Sequence, residues 1–214
     1  MCIIRLKQVS KKFGDHVLFN SIDLDIERGV TVGFIGKNGS GKSVLFKIIS
    51  GLYKPDCGEV FIRGQRIGDK FDFPPDMGIF IDGPGFIPFL TGYVNLKYLA
   101  DIRGKINDND IVNAMHLVGL DPFDKTLVKN YSLGMKQKLG IAQAFMENQD
   151  IILLDEPFNA LDKISHCNML NCIKALKQER KTILITSHNS DDINSLCDVI
   201  YEILDYELVI RDSA

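Results

Sequence analysis

Residues Ile22, Leu24 and Ile26 are apolar, and the intervening Asp23, Asp25 and Glu27 are acidic. A period of two with one wet face predicts a strand in an antiparallel edge sheet. The pattern places that strand over residues 17–26 and a partner over 3–9, bracketing the turn Lys12-Phe13-Gly14-Asp15. Val30–Ile35 is a continuous apolar run with β-branched residues, a candidate buried strand. It leads into a glycine-rich turn and a helical stretch over Lys42–Ser50. Cys57–Ile67 reads as a hairpin around Gly64, and Gly78–Ile81 as a short strand. From Asp82 to about Asn148 the period changes. Turn residues come first, then helical stretches near 92–103, 108–118 and 133–147. A second apolar strand, Ile151–Leu154, follows, then a helix near 163–178, a strand over 182–186 and two short strands near 198–210. Strands alternating with helices imply a mostly parallel sheet.

Composition adds little to this picture and excludes some classes. The chain has 214 residues, 45% hydrophobic and 25% charged, which suits a globular domain. One domain is expected over 1–214, with a core of about 1–82 and 150–214 and a helical lobe of about 83–149 inserted into it. The net charge of −3 does not argue for nucleic-acid binding, although a total leaves a local basic patch open, and no nucleic acid is expected as a partner. Five cysteines without a C-x-x-C pair suggest neither a zinc site nor a disulfide framework, and reduced thiols are expected. The N-terminal residues do not read as a signal peptide. No apolar run approaches the roughly 20 residues that cross a bilayer.

Gly36-Lys37-Asn38-Gly39-Ser40-Gly41-Lys42-Ser43 matches G-x-x-x-x-G-K-[ST] between a strand and a helix. Glycines let such a loop curl until successive N–H groups face phosphate oxygens. Lys42 is then expected to reach the β- and γ-phosphates, and the Ser43 hydroxyl to ligate Mg²⁺. Val44 opens the helix whose positive end adds to the field. Downstream, Ile151–Leu154 ends in Asp155 and Glu156. The carboxyl ends of parallel strands are where such folds hold ligands. Asp155 is expected to serve the Mg²⁺, and Glu156 to position and polarise the attacking water. The fold class expected is therefore α/β: a P-loop NTPase core with a mostly parallel sheet, an antiparallel β edge subdomain and an inserted helical lobe.

With these motifs in place, the sequence resembles an ATP-binding cassette (ABC) ATPase almost end to end. Tyr131-Ser132-Leu133-Gly134-Met135-Lys136-Gln137 is similar to the family signature, normally L-S-G-G-Q. Asn159-Ala160-Leu161-Asp162 resembles the loop after the catalytic glutamate, and Ser187-His188 the switch histidine. The resemblance implies that Phe13 stacks on adenine and that Ser132 and Gly134 approach the γ-phosphate of an opposite subunit. It also implies that His188 senses that phosphate. ATP and Mg²⁺ are the implied cofactors. The implied partners are a second cassette, as a homodimer, and an integral membrane permease, which would hold the protein at the cytoplasmic face of the membrane. Gly83-Pro84-Gly85-Phe86-Ile87-Pro88, with the signature, is similar to the bacitracin and lantibiotic export and self-protection subgroup. Cargo contacts belong to the partner and are not encoded here.

Three positions depart from the family. Leu133 replaces a signature glycine, Met135 replaces the usual glutamine, and Asp82, expected with Ser43 and Asp155 at the metal, stands where the family usually has a glutamine. His16, His116 and His166 read as ordinary surface or core residues. A GTPase reading fails because N-K-x-D is absent. A soluble cassette not coupled to transport, and a nucleotide-sensing module without turnover, stay open as alternatives. The loop Asp82–Thr91 is expected to dock the permease, with Pro84 and Pro88 shaping it and Phe86, Ile87, Phe89 and Leu90 as apolar anchors.

Overall fold

The computed structural model describes residues 1–83 and 85–211. Pro84, assigned above to the shape of the docking loop, lies outside the described residues. Two long strands, β1 (Cys2–Phe13) and β2 (His16–Glu27), pair antiparallel. Both run further than alternation alone predicts, because bulges absorb its breaks. The register shifts between Leu6 and Val9, and Gln8 and Ser21 adopt positive φ of 49° and 55°. Their amides are taken up locally, by Asp23 Oδ1 at 2.9 Å and Ser10 Oγ at 2.9 Å. β4 (Cys57–Ile62) and β5 (Gln65–Arg66) complete a sheet of order β2-β1-β4-β5.

The second sheet has six strands in the order β10-β9-β3-β8-β7-β6. Its members are β3 (Thr31–Ile35), β6 (Met77–Phe80), β7 (Ile151–Leu154), β8 (Thr182–Thr186), β9 (Val199–Leu204) and β10 (Glu207–Arg211). Neighbours are parallel except β9 and β10. Each central strand is covered on both faces, which is why it reads as an unbroken apolar run. Ile151, Leu153 and Leu184 face one core with the antiparallel sheet and helix α1 (Lys42–Ile49). Ile152, Leu154, Ile183 and Ile185 face the other. That second core also receives α2 (Gly92–Arg103), α3 (Asp108–Leu117), α4 (Leu133–Phe145), α5 (Lys163–Gln178) and α6 (Ser190–Leu196). α2, α3 and α4 fall between β6 and β7, as the change of period predicts. α6 has no counterpart in the sequence reading: it has seven residues, mostly polar, and starts at an Asn189 cap that accepts from Asp191 N at 3.0 Å.

The sheet and the lobe meet at Gly78. A Cβ added there would fall on the Ala144 carbonyl oxygen of α4, which is backbone and cannot swing aside. Gly78→Ala is expected to destabilise the fold by about 3 kcal/mol, the upper end of ordinary overpacking. Urea denaturation measures this, and an unchanged midpoint would show that the two elements are free to separate.

Candidate active site

The loop from Gly36 to Ser43 joins β3 to α1. Gly36, Gly39 and Gly41 have φ of 150°, 79° and 103°. At Gly41 glycine is required twice over, since a Cβ would also meet Phe19 Cζ at 2.8 Å. The tight curl brings Lys42 back over the loop. It is 7% exposed, and its Nζ donates to the carbonyls of Gly36 at 2.9 Å and Lys37 at 3.3 Å. The Ser40 hydroxyl is buried in the same loop without a hydrogen-bond partner among the described residues.

A cleft of about 320 Å³ opens on this loop. Asn38, Gly39, Gly41, Lys42, Ser43 and Val44 form one side, and Asp155, Glu156 and His188 come from across the sheet. The order β3-β8-β7 produces that meeting, because the carboxyl ends of three parallel strands lie side by side. Asp155 is buried, and its Oδ1 accepts from Thr186 Oγ1 at 2.7 Å. The same Thr186 oxygen accepts from Glu156 N at 2.8 Å. Thr186 therefore fixes both carboxylate residues, a role not read from the sequence. Its only local signal is a threonine ending a buried strand just before Ser187-His188.

Glu156 sits at φ 51°, a strained value for a residue with a side chain. Its Oε2 accepts from His188 N at 3.2 Å. Its Oε1 lies 3.1 Å from His188 Nε2 but is not aligned for a hydrogen bond with it. That oxygen is buried without a hydrogen-bond partner among the described residues. Burial pushes the Glu156 carboxyl above the ordinary range, and Asp155 adds to this. The His188 and Lys42 charges oppose it. Gln137, the last residue of the signature-like stretch, donates from Nε2 to the Glu156 carbonyl at 2.8 Å. No role was read for it from sequence.

Other candidates lie elsewhere. Ser132 caps α4, accepting from Met135 N at 3.1 Å. Gly134 packs on the following loop, where a Cβ would stand 2.9 Å from Ala160 O. Neither lines the cleft of its own chain. Phe13 is half exposed, set edge-to-face against Tyr53 at 6.1 Å and outside the cleft lining. Asp82 is not among the residues that line this cleft. Its carboxylate pairs with Lys47 of α1, whose ammonium pKa that contact raises.

For Mg²⁺ the donor set is a hydroxyl, Ser43, and a carboxylate, Asp155, in one cleft. No group of three or more His, Cys, Asp or Glu gathers to hold a metal among the described residues. Two hard oxygen donors with room for phosphate and water fit Mg²⁺, which keeps several waters and shares substrate phosphates.

The ABC transporter family model matches residues 19–159. The uncharacterized ABC transporter ATP-binding protein YybJ of Bacillus subtilis (strain 168) is 38% identical over 200 residues, 94% of this chain and 92% of its own. The lantibiotic transport ATP-binding protein SrtF of Streptococcus pyogenes is 32% identical, over 98% of this chain and 90% of its own length. The bacitracin transport ATP-binding protein BcrA of Enterococcus faecalis is 35% identical over 92% of this chain, which spans 65% of that relative. Among solved structures, the dimeric post-hydrolysis state of the ATP-binding cassette MJ0796, bound to ADP and Pi, aligns with a TM-score of 0.87 at 26% identity, over 99% of both chains. The chain belongs to the ABC transporter family and is an ATPase cassette of that family.

Proposed function

We propose that this cassette hydrolyses ATP in the cleft at Lys42, Ser43, Asp155, Glu156 and His188, and that the hydrolysis drives export through a separate permease. The observation that carries this reading is the convergence of those five side chains from three strand ends on one cleft. Lys42 and the loop amides bind the phosphates. Glu156, with a buried oxygen that lacks a hydrogen-bond partner among the described residues, takes the proton of the attacking water. His188, held against Glu156, faces the terminal phosphate. Ser43 and Asp155 would hold Mg²⁺, which supplies screening of the phosphate charge when bound. Phosphate release by the purified chain, dependent on Mg²⁺ and abolished by a chelator, tests this. No release, with ATP bound, favours the nucleotide-sensing alternative.

Two partners complete the reading. Ser132 and Gly134 do not line their own cleft, which suits contact with the nucleotide of a second copy across a homodimer. The solved neighbour is itself dimeric. The relatives named for bacitracin and lantibiotic transport suggest a peptide as cargo. No helix among the described residues is long and apolar enough to cross a membrane. A permease would therefore carry the work into the bilayer and hold this chain at its cytoplasmic face. The whole of 1–214 then acts as one cassette, with core 1–82 and 150–214 and lobe 83–149.

We propose the same loop as the permease dock, with its anchors reassigned. Phe86 is turned inward against the lobe core, while Ile87 and Phe89 are 50% and 70% exposed. Gly85 of the same loop helps line a groove of about 240 Å³ with Leu52, Ile79, Ile81 and Leu99. An apolar, unpartnered surface of this kind marks an interface, and a cytoplasmic helix of the permease is its proposed occupant. Phe89→Glu is expected to leave ATP turnover by the isolated chain unchanged while the permease no longer co-purifies. An intact complex would count against this loop as the dock, whereas a parent chain that never co-purifies with a permease would favour a cassette not coupled to transport.

A further inference from the structure

His166, an ordinary histidine by sequence, joins two segments of the site from behind. It lies in the first turn of α5, where its ring stands 4.9 Å from the ring of Phe158, tilted by 45°. Phe158 follows Glu156 by two positions and is buried. On its other side, His166 Nε2 is 3.0 Å from Asp192 Oδ2. Asp192 lies in α6, four positions past His188, and its side chain is only 4% exposed. A buried carboxylate needs a donor, and His166 is the only side chain that hydrogen-bonds it among the described residues. One imidazole thus touches both the segment that carries Glu156 and the segment that carries His188. In front, those two side chains meet each other at 3.1 Å.

We propose that His166 is a positioning residue for hydrolysis: through Phe158 and Asp192 it holds Glu156 and His188 in mutual register. The mechanism is geometric. His188 is 52% exposed on its side chain, so the cleft itself restrains it little. Its loop continues into α6, a helix of seven residues that buries Ile193 and Leu196 in the core and Asp192 in its first turn. The Asp192 contact anchors that helix to α5, and the Phe158 contact anchors α5 to the turn after Glu156. Loss of the tie lets the His188 loop drift. Near-attack geometry tolerates little displacement, so the chemical step suffers before binding does. ATP binding rests on the Gly36–Ser43 loop, which His166 does not touch.

The inference rests on reading Glu156 and His188 as the hydrolysing pair. Steady-state ATP hydrolysis of the full chain separates the tie from that reading. His166→Phe keeps the ring contact and loses the donor. It is expected to lower kcat about tenfold, with KM for ATP within about twofold of the parent. His166→Gln, which restores an N–H donor for Asp192, is expected to recover most of the loss. An unchanged kcat in His166→Phe overturns the tie, as does a kcat that falls in both variants alike. So does a rise in KM at constant kcat. Should His166→Phe fail to fold, Asp192→Ala cuts the same tie without stranding a buried charge, and is expected to show the same fall in kcat at constant KM. Glu156→Gln measured alongside tells the failures apart: parent-like turnover there sinks the site reading, whereas a dead Glu156→Gln with an unaffected His166→Phe sinks the tie alone.

Discussion

Glu156→Gln is expected to bind ATP and to hydrolyse it about 10²- to 10⁴-fold more slowly than the parent, the range that a positioned general base supplies. Glutamine keeps the size of the side chain and can still accept from His188 N, so the contact at 3.2 Å survives. What is lost is the basic oxygen. In the parent, Glu156 lines the cleft, and its Oε1 is buried without a hydrogen-bond partner among the described residues. The substitution should not cost stability. Burial raises the Glu156 pKa in the folded state, so that state favours the neutral form. The stability this group adds is present at low pH and is lost as pH rises through the folded pKa. At neutral pH a glutamine therefore removes a penalty, and the melting temperature should hold or rise. ATP-bound Glu156→Gln is also expected to persist as a dimer, eluting at twice the 24.0 kDa chain in size exclusion. Phosphate release at the parent rate would show that another residue takes the proton.

Lys42→Ala is expected to weaken ATP binding about 10- to 100-fold, since a charge-assisted contact is worth roughly 1.5–3 kcal/mol. Turnover should fall further, because the same ammonium stabilises charge on the transferring phosphate. Among the described residues that line the cleft, Lys42 is the one lysine or arginine. Its amine is already seated over the loop by the Gly36 and Lys37 carbonyls, so little ordering is needed to meet a phosphate. Alanine keeps the helix start, and the chain should fold. Titration calorimetry with ATP reads the affinity, and phosphate release reads the rate. Undiminished steady-state turnover would remove the phosphate site from Gly36–Ser43.

Much of this protein is written locally. The alternation at Ile22–Glu27 determined an antiparallel strand, and the apolar runs Val30–Ile35 and Ile151–Leu154 determined buried parallel ones. Spacing at Gly36–Ser43 determined a phosphate loop, because the curl it needs is a property of three glycines and their neighbours. Each of these signals lies within one element, where periodicity and backbone freedom are set by adjacent residues. What the local pattern could not supply are contacts between distant segments. Thr186 reaches Asp155 across 31 positions, Gln137 reaches the Glu156 carbonyl across 19, and His166 reaches Asp192 across 26. The pairing of Asp82 with Lys47 is of the same kind. So is the inward turn of Phe86, which leaves Phe89 outside. The sequence by itself determined which residues carry charge, hydroxyl and flexible backbone. Only the tertiary structure decided which of them meet, because the strand order β3-β8-β7 and the seating of α5 against α6 arise from burying apolar faces shared between elements.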